Sequence, residues 1–215
     1  MKNRGNNSMP IGPDHGRILT AVGRDSARRI GRVERKLVAA LTNRSALPAL
    51  PSDGQTILYQ SAAMRTDGVI WQFRYNAAST SAYKWEFIGG PPWFSTMVGT
   101  EEGVGTAATW VNLATDGPSI TVPLAGDYAS NCWAYGVTSG GASTVQIGTA
   151  VGNTTPAANR PQTTAAINNY ANLSDGQRIS AVPAATGIKM RYYGGTITTD
   201  KFGNRGMCVT PIRVG

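Results

Sequence analysis

The groups able to do acid–base, nucleophilic or metal chemistry are few in this chain, and their spacing points to none of the three. His15 is the sole histidine and lies near the start, so the rest of the chain cannot assemble a Ser-His-Asp triad. His15, Cys132 and Cys208 are too scattered for any usual zinc spacing. Glu101-Glu102 could supply paired carboxylates for glycoside hydrolysis, but neighbours on a strand point to opposite faces and do not converge. Asp116 and Asp175 each precede a glycine and read as turn formers. Asp127 and Asp200 complete the acids of the C-terminal half. No catalytic, cofactor-binding or metal-binding residues are expected, and the protein is expected not to be an enzyme. Cys132 and Cys208 sit in strand-like surroundings and are read as buried thiols rather than a disulfide.

Charge is laid out unevenly. Residues 1–47 hold ten Lys/Arg against three Asp/Glu, whereas residues 48–215 hold ten against nine, so nearly all of the +8 net charge belongs to an N-terminal arm. Residues 1–13 read as a flexible arm. A basic amphipathic helix is expected over 14–47, with its regular part at 14–44, Asp14 as N-cap and Pro48 beyond the end. At about 100° per residue, Leu19, Ile30, Val33, Leu37 and Leu41 share one face. Arg17, Arg24, Arg28, Arg32, Arg35 and Lys36 share the opposite one. Gly23 and Gly31 each weaken such a helix by roughly 1 kcal/mol relative to Ala, so the apolar stripe needs a partner, either a short coiled coil or a docking groove. The basic face suits an acidic groove on a neighbouring protein. Nucleic acid is not the expected partner, because no aromatic residue interleaves with the arginines for base stacking. No run approaches the roughly 20 apolar residues that span a bilayer, so no membrane insertion is expected. The polar opening residues lack the apolar middle of a signal peptide, which points to synthesis in the cytosol.

Beyond the Pro48/Pro51 linker the pattern becomes β. Over 52–95, the runs 55–60, 69–75 and 83–88 are strand-like, with Val69, Trp71, Phe73 and Tyr75 on one face and Gln72 and Arg74 on the other. This makes a small β module that must lean on another part of the protein. Over 100–215, short strands are expected at 108–113, 119–123, 128–137, 144–148, 178–182, 188–193 and 207–213, with an exposed loop at 153–165. The fold class is therefore mainly β, an N-terminal helix followed by a small β module and an antiparallel sandwich or jelly-roll head.

The segment Asp53-Gly54-Gln55-Thr56-Ile57, with Val69-Ile70-Trp71-Gln72-Phe73-Arg74-Tyr75-Asn76 and Tyr83-Lys84-Trp85-Glu86-Phe87-Ile88-Gly89-Gly90-Pro91, resembles a module of minor structural and tail proteins of actinobacterial phages. Leu124-Ala125-Gly126-Asp127-Tyr128 and Leu173-Ser174-Asp175-Gly176-Gln177-Arg178-Ile179 resemble strand entries of the C1q/tumour-necrosis-factor-like trimeric jelly roll. The resemblance implies a virion component that forms a homotrimer. Its N-terminal arm would attach to other virion proteins of the tail, and its C-terminal head would contact the host. The alternative placement is the capsid, as a head-fibre or decoration protein with no receptor role. A polysaccharide-degrading tail enzyme is disfavoured for want of convergent acids. A host surface glycan is the expected receptor class, and Tyr170, Tyr192 and Tyr193 are the candidate contacts, since one of two adjacent strand residues must face outward. Trp133 and Tyr135 are read as core residues from their same-face alternation, and Trp110 is counted among the aromatics of this half without a face assigned.

Overall fold

The computed structural model describes residues 43–99, 101–139, 143–156, 163–165, 169–196 and 199–215. The arm at 1–13 lies outside the described residues. So do the basic face (Arg17, Arg24, Arg28, Arg32, Arg35, Lys36) and the apolar face (Leu19, Ile30, Val33, Leu37, Leu41). The expected helix is corrected at its far end, where Asn43–Arg44 form a strand, β1, parallel to β2 (Thr56–Tyr59).

From β2 the chain makes one helical turn, α1 (Ala62–Thr66), capped by Ser61, whose Oγ accepts from the Met64 amide. Sequence reading missed this turn, although Ser61 ahead of Ala-Ala-Met is an N-terminal signal. It is followed by β3 (Trp71–Tyr75) and β4 (Trp85–Gly89). The alternation expected in β3 is observed: Trp71 and Phe73 are buried and Arg74 is exposed. Next come β5 (Trp93–Met97), β6 (Glu102–Gly103), β7 (Thr109–Val111) and β8 (Ser119–Val122). Long strands then dominate: β9 (Gly126–Thr138), β10 (Ser143–Val151), β12 (Asn169–Val182), β13 (Thr186–Gly194) and β14 (Asp200–Val214). β11 (Thr163–Ala165) pairs antiparallel with β10, inside the segment expected to be wholly loop.

These strands make two sheets packed as a sandwich. The first runs β1-β2-β3-β4-β14-β9-β12, with β5 and β6 also pairing along β14. The second runs β11-β10-β13-β7, with β8 also pairing β13. The strands of 52–95 join the first sheet where Trp85 and Glu86 pair with Val214 and Arg213, so they share a sheet with the strands of 100–215, and residues Asn43–Gly215 form one unit. Their core is shared too. The Trp71 ring meets Phe73 and Trp93 edge-on and lies 6.4 Å from Tyr128. Its Nε1 donates to the Pro91 carbonyl at 3.1 Å, and Trp93 Nε1 donates to Asp67 Oδ2 at 2.6 Å. Between the sheets lie Ile188, Met190 and Tyr192 of β13 and Phe202, Met207 and Val209 of β14. Cys132 and Cys208 are both buried. Cys208 pairs with the exposed Asn131 while Cys132 pairs with Met207, so the two thiols face opposite sides of the sheet.

Candidate functional site

The first sheet buries Trp71, Phe73, Tyr128 and Phe202 in the core but also carries large rings on its outer side. Along β9, the inward residues are Ser130, Cys132, Ala134 and Gly136, and the outward ones are Asn131, Trp133 and Tyr135. The expectation that Trp133 and Tyr135 are core is therefore corrected; the alternation was read properly and the face was not. Register places Trp133 opposite Gly206 and Tyr135 opposite Gly203 on β14. A Cβ at either glycine would collide with the ring beside it, so each ring lies flat across bare backbone. Phe94 of β5 meets Trp133 edge-on at 6.4 Å, and Tyr170 of β12 meets Tyr135 at 5.4 Å. The result is an aromatic band across three strand pairings, its rings meeting edge to face, with Phe94 54%, Trp133 36% and Tyr170 66% exposed. Desolvation pushes the Tyr135 hydroxyl above its ordinary pKa, and the neighbouring Glu101 carboxylate adds to this.

Of the three tyrosines singled out from sequence, Tyr170 is exposed as expected. Tyr192 is corrected: it is 0% exposed, its hydroxyl donates to the Gly117 carbonyl at 2.8 Å, and burial raises its pKa. Tyr193 is half-buried on the outer face of the second sheet, 5.8 Å from Trp110 and far in register from the aromatic band. The three do not form one site.

On that second face, Trp110 pairs with Tyr193 and Val111 with Tyr192. Asn112 therefore falls level with Arg191. Arg191 is only 7% exposed, and its Nη2 donates to the Trp110 carbonyl at 2.8 Å. Its Nε has no hydrogen-bond partner, and neither has Asn112 Oδ1, while Asn112 Nδ2 donates to Asn153 Oδ1. A buried polar atom left unmet costs about 1–3 kcal/mol. Desolvation lowers the Arg191 pKa, partly offset by Asp116, whose carboxylate is paired with Lys189.

Among the described residues, Glu102, Asp127 and Asp200 are engaged in holding loops and strands. Glu102 Oε1 accepts from Arg205 at 3.0 Å and Oε2 from the Thr115 amide at 2.8 Å. Burial alone would raise the Glu102 carboxyl, but Thr115 and Arg205 together bring it below its ordinary range. Arg205 is buried, with its guanidinium 5.7 Å from the Tyr192 ring centre. Asp127 binds Arg178 at 2.6 Å and the Ala181 amide at 3.0 Å. Asp200 accepts from Ser143 Oγ at 2.6 Å and the Thr196 amide at 2.8 Å. Asp175 is corrected: it is buried in mid-strand in β12, opposite Cys132, and forms no turn. Among the described residues no three His, Cys, Asp or Glu side chains gather as a metal site, and no helix is long and apolar enough to cross a membrane. No family model and no curated protein matches this chain.

Proposed function

We propose that this chain is a non-catalytic virion structural protein, a tail-associated fibre or minor tail protein. Its N-terminal arm attaches to other virion proteins, and its β body associates as a homotrimer that presents a host-contacting head. The phage assignment rests on the resemblance of the segments at 53–57, 69–76 and 83–91. The jelly-roll reading is supported by strand order from Trp93 onward: β5, β6, β14, β9 and β12 fall in one sheet and β7, β8, β13, β10 and β11 in the other. The single observation that carries self-association is the outward aromatic band of Phe94, Trp133, Tyr135 and Tyr170. Exposed apolar faces of this kind mark interaction surfaces. A heterologous contact that closes after three copies would cover it on every subunit.

Light scattering on the purified protein tests the assembly: the expected mass is three times the 22.6 kDa chain, and a stable monomer at micromolar concentration refutes it. Deleting residues 1–42 tests the anchor. The truncated protein is expected to keep its trimeric mass and lose incorporation into particles, and unchanged incorporation removes the anchoring role.

A further inference from the structure

The outer face of the first sheet carries a second feature besides its rings. Arg74 of β3, Glu86 of β4, Arg213 of β14 and Asp127 of β9 lie side by side in register. Arg178 of β12 closes the row, its Nη2 2.6 Å from Asp127 Oδ2. Arg74 binds Glu86 at 3.0 Å, and Arg213 approaches the same carboxylate at 3.9 Å. Charges thus alternate across the sheet, and the cations stand outermost: the Arg178 side chain is 58% exposed against 10% for Asp127. A guanidinium that gives its N–H edge to a carboxylate keeps its flat faces for aromatic rings. Because an anion already lies beside each of them, covering the row leaves no charge alone.

The aromatic band lies on the same side of the same sheet but out of the row's reach. Asp127 and Trp133 both face outward on β9, six residues or about 20 Å apart. Arg178 is the nearest of the three cations by register. It pairs with Ala129, about 13 Å short of Trp133, and turns away from the band towards Asp127. Row and rings therefore do not meet within one subunit.

We propose that the row of Arg74, Arg213 and Arg178 on one copy lies against the Phe94, Trp133 and Tyr170 rings of the next, an inference that rests on the trimer proposed above. A head-to-tail contact needs two different patches on every subunit; the band is one and the row is its partner. Arginine and aromatic residues are the side chains in which protein interfaces are enriched, and the flat cation stacks on the ring. An acidic partner would instead meet the two carboxylates already in the row. All three cations are arginine, where lysine would carry the same charge without the flat face.

Sedimentation velocity on the full-length protein across a dilution series, with circular dichroism on the same samples, tests the pairing. Arg74→Lys, Arg178→Lys and Arg213→Lys keep the charges and are expected to keep the β spectrum. Each is expected to raise the trimer dissociation constant about tenfold, equivalent to roughly 1.4 kcal/mol summed over the interfaces. Arg44→Lys, at an exposed position on β1, is expected to leave it unchanged. Tyr170 and Arg178 are eight residues, or about 26 Å, apart on β12, so coupling between them arises across subunits. Combining Tyr170→Ala with the three lysine substitutions is therefore expected to cost less than the product of the separate losses. Unchanged association in all three lysine variants, an equal loss in Arg44→Lys, or a strictly multiplicative combination overturns the contact. A trimeric parent with any of these results keeps the assembly and loses only this pairing, whereas a monomeric parent removes both.

Discussion

Gly206→Ala is the sharpest probe of the aromatic band. The new Cβ would occupy space held by the Trp133 indole, so the ring must lift off the sheet. Within one subunit that disturbance costs about 1–3 kcal/mol, the usual penalty for overpacking. The larger effect is expected between subunits. At their observed exposures Phe94, Trp133 and Tyr170 leave on the order of 300 Å² of ring surface open. Covering it is worth roughly 7 kcal/mol per subunit before association costs are subtracted, at about 25 cal/mol per Å². Losing the Trp133 share, about 2 kcal/mol at each of three interfaces, raises the trimer dissociation constant by on the order of 10⁴. Size-exclusion chromatography with light scattering across a dilution series reads this directly, alongside the melting temperature. The double variant Gly206→Ala/Trp133→Ala relieves the clash, so thermal stability should recover while association stays weak. A lowered melting temperature with an unchanged mass would place Trp133 outside the interface. If neither quantity moved, the packing of ring on glycine would itself be wrong.

The remaining expectations concern the fold that carries the two faces. Trp71→Ala is expected to cost about 3–5 kcal/mol, and calorimetry should show one cooperative transition for the strands of 52–95 and of 100–215; two transitions would mean separate cores. Glu102→Gln should destabilise by about 1–3 kcal/mol in denaturant titrations, since it leaves the buried Arg205 short of its counter-ion. Three carboxyls sit below their ordinary range: Glu86 through Asn76 and Arg74, and Glu102 and Asp127 despite burial that would raise them, the latter through the Ala181 amide and Arg178. The unfolded chain then binds more protons than the folded one. Stability is fully present above about pH 4.5 and falls as pH drops through the lower folded values; a melting temperature that did not decline between pH 6 and pH 3 would contradict this.

Much of the β architecture was legible because its signals are local. The alternation of Trp71 and Phe73 against Arg74 and the turn pairs Asp53-Gly54 and Asp67-Gly68 need no partner strand to be read. What eluded sequence reading depends on pairing. β5 begins immediately after Gly90-Pro91-Pro92, and its Trp93-Phe94 pair shows which ring faces in only once register with Val209 and Cys208 is known. Asp175-Gly176 has turn chemistry, yet pairing with Cys132 and Asn131 holds it extended. Period-two alternation states that Trp133 and Tyr135 share a face, but cannot say which face is the core. The missing clue was Gly203 and Gly206, some seventy residues away, whose bare backbone accommodates the two rings. Likewise the adjacency of Tyr192 and Tyr193 correctly implies one inward and one outward residue, and only the second sheet decides that Tyr192 is the inward one.

The distribution of side-chain size across β9 and β13 separates the roles of the two faces. β13 behaves as a strand of a self-sufficient sandwich: Ile188, Met190 and Tyr192 fill the core, and on the other side Lys189 and Tyr193 are half-buried and Arg191 is buried. β9 divides its rings: Tyr128 is fully buried, but further along Ser130, Cys132 and Ala134 line the core while Trp133 and Tyr135 point outward. Placed inward, where burial counts most, those rings would contribute more to the subunit's own stability. Small inward residues are tolerated because β13 and β14 already supply the core volume, with Met190, Tyr192, Phe202 and Met207 all fully buried. In the proposed trimer, the outward rings are what a neighbouring subunit covers. The two glycines bring Trp133 and Tyr135 down onto the β14 backbone, and an exposed aromatic surface that runs on to Phe94 and Tyr170 suits another broad protein surface better than a narrow ligand.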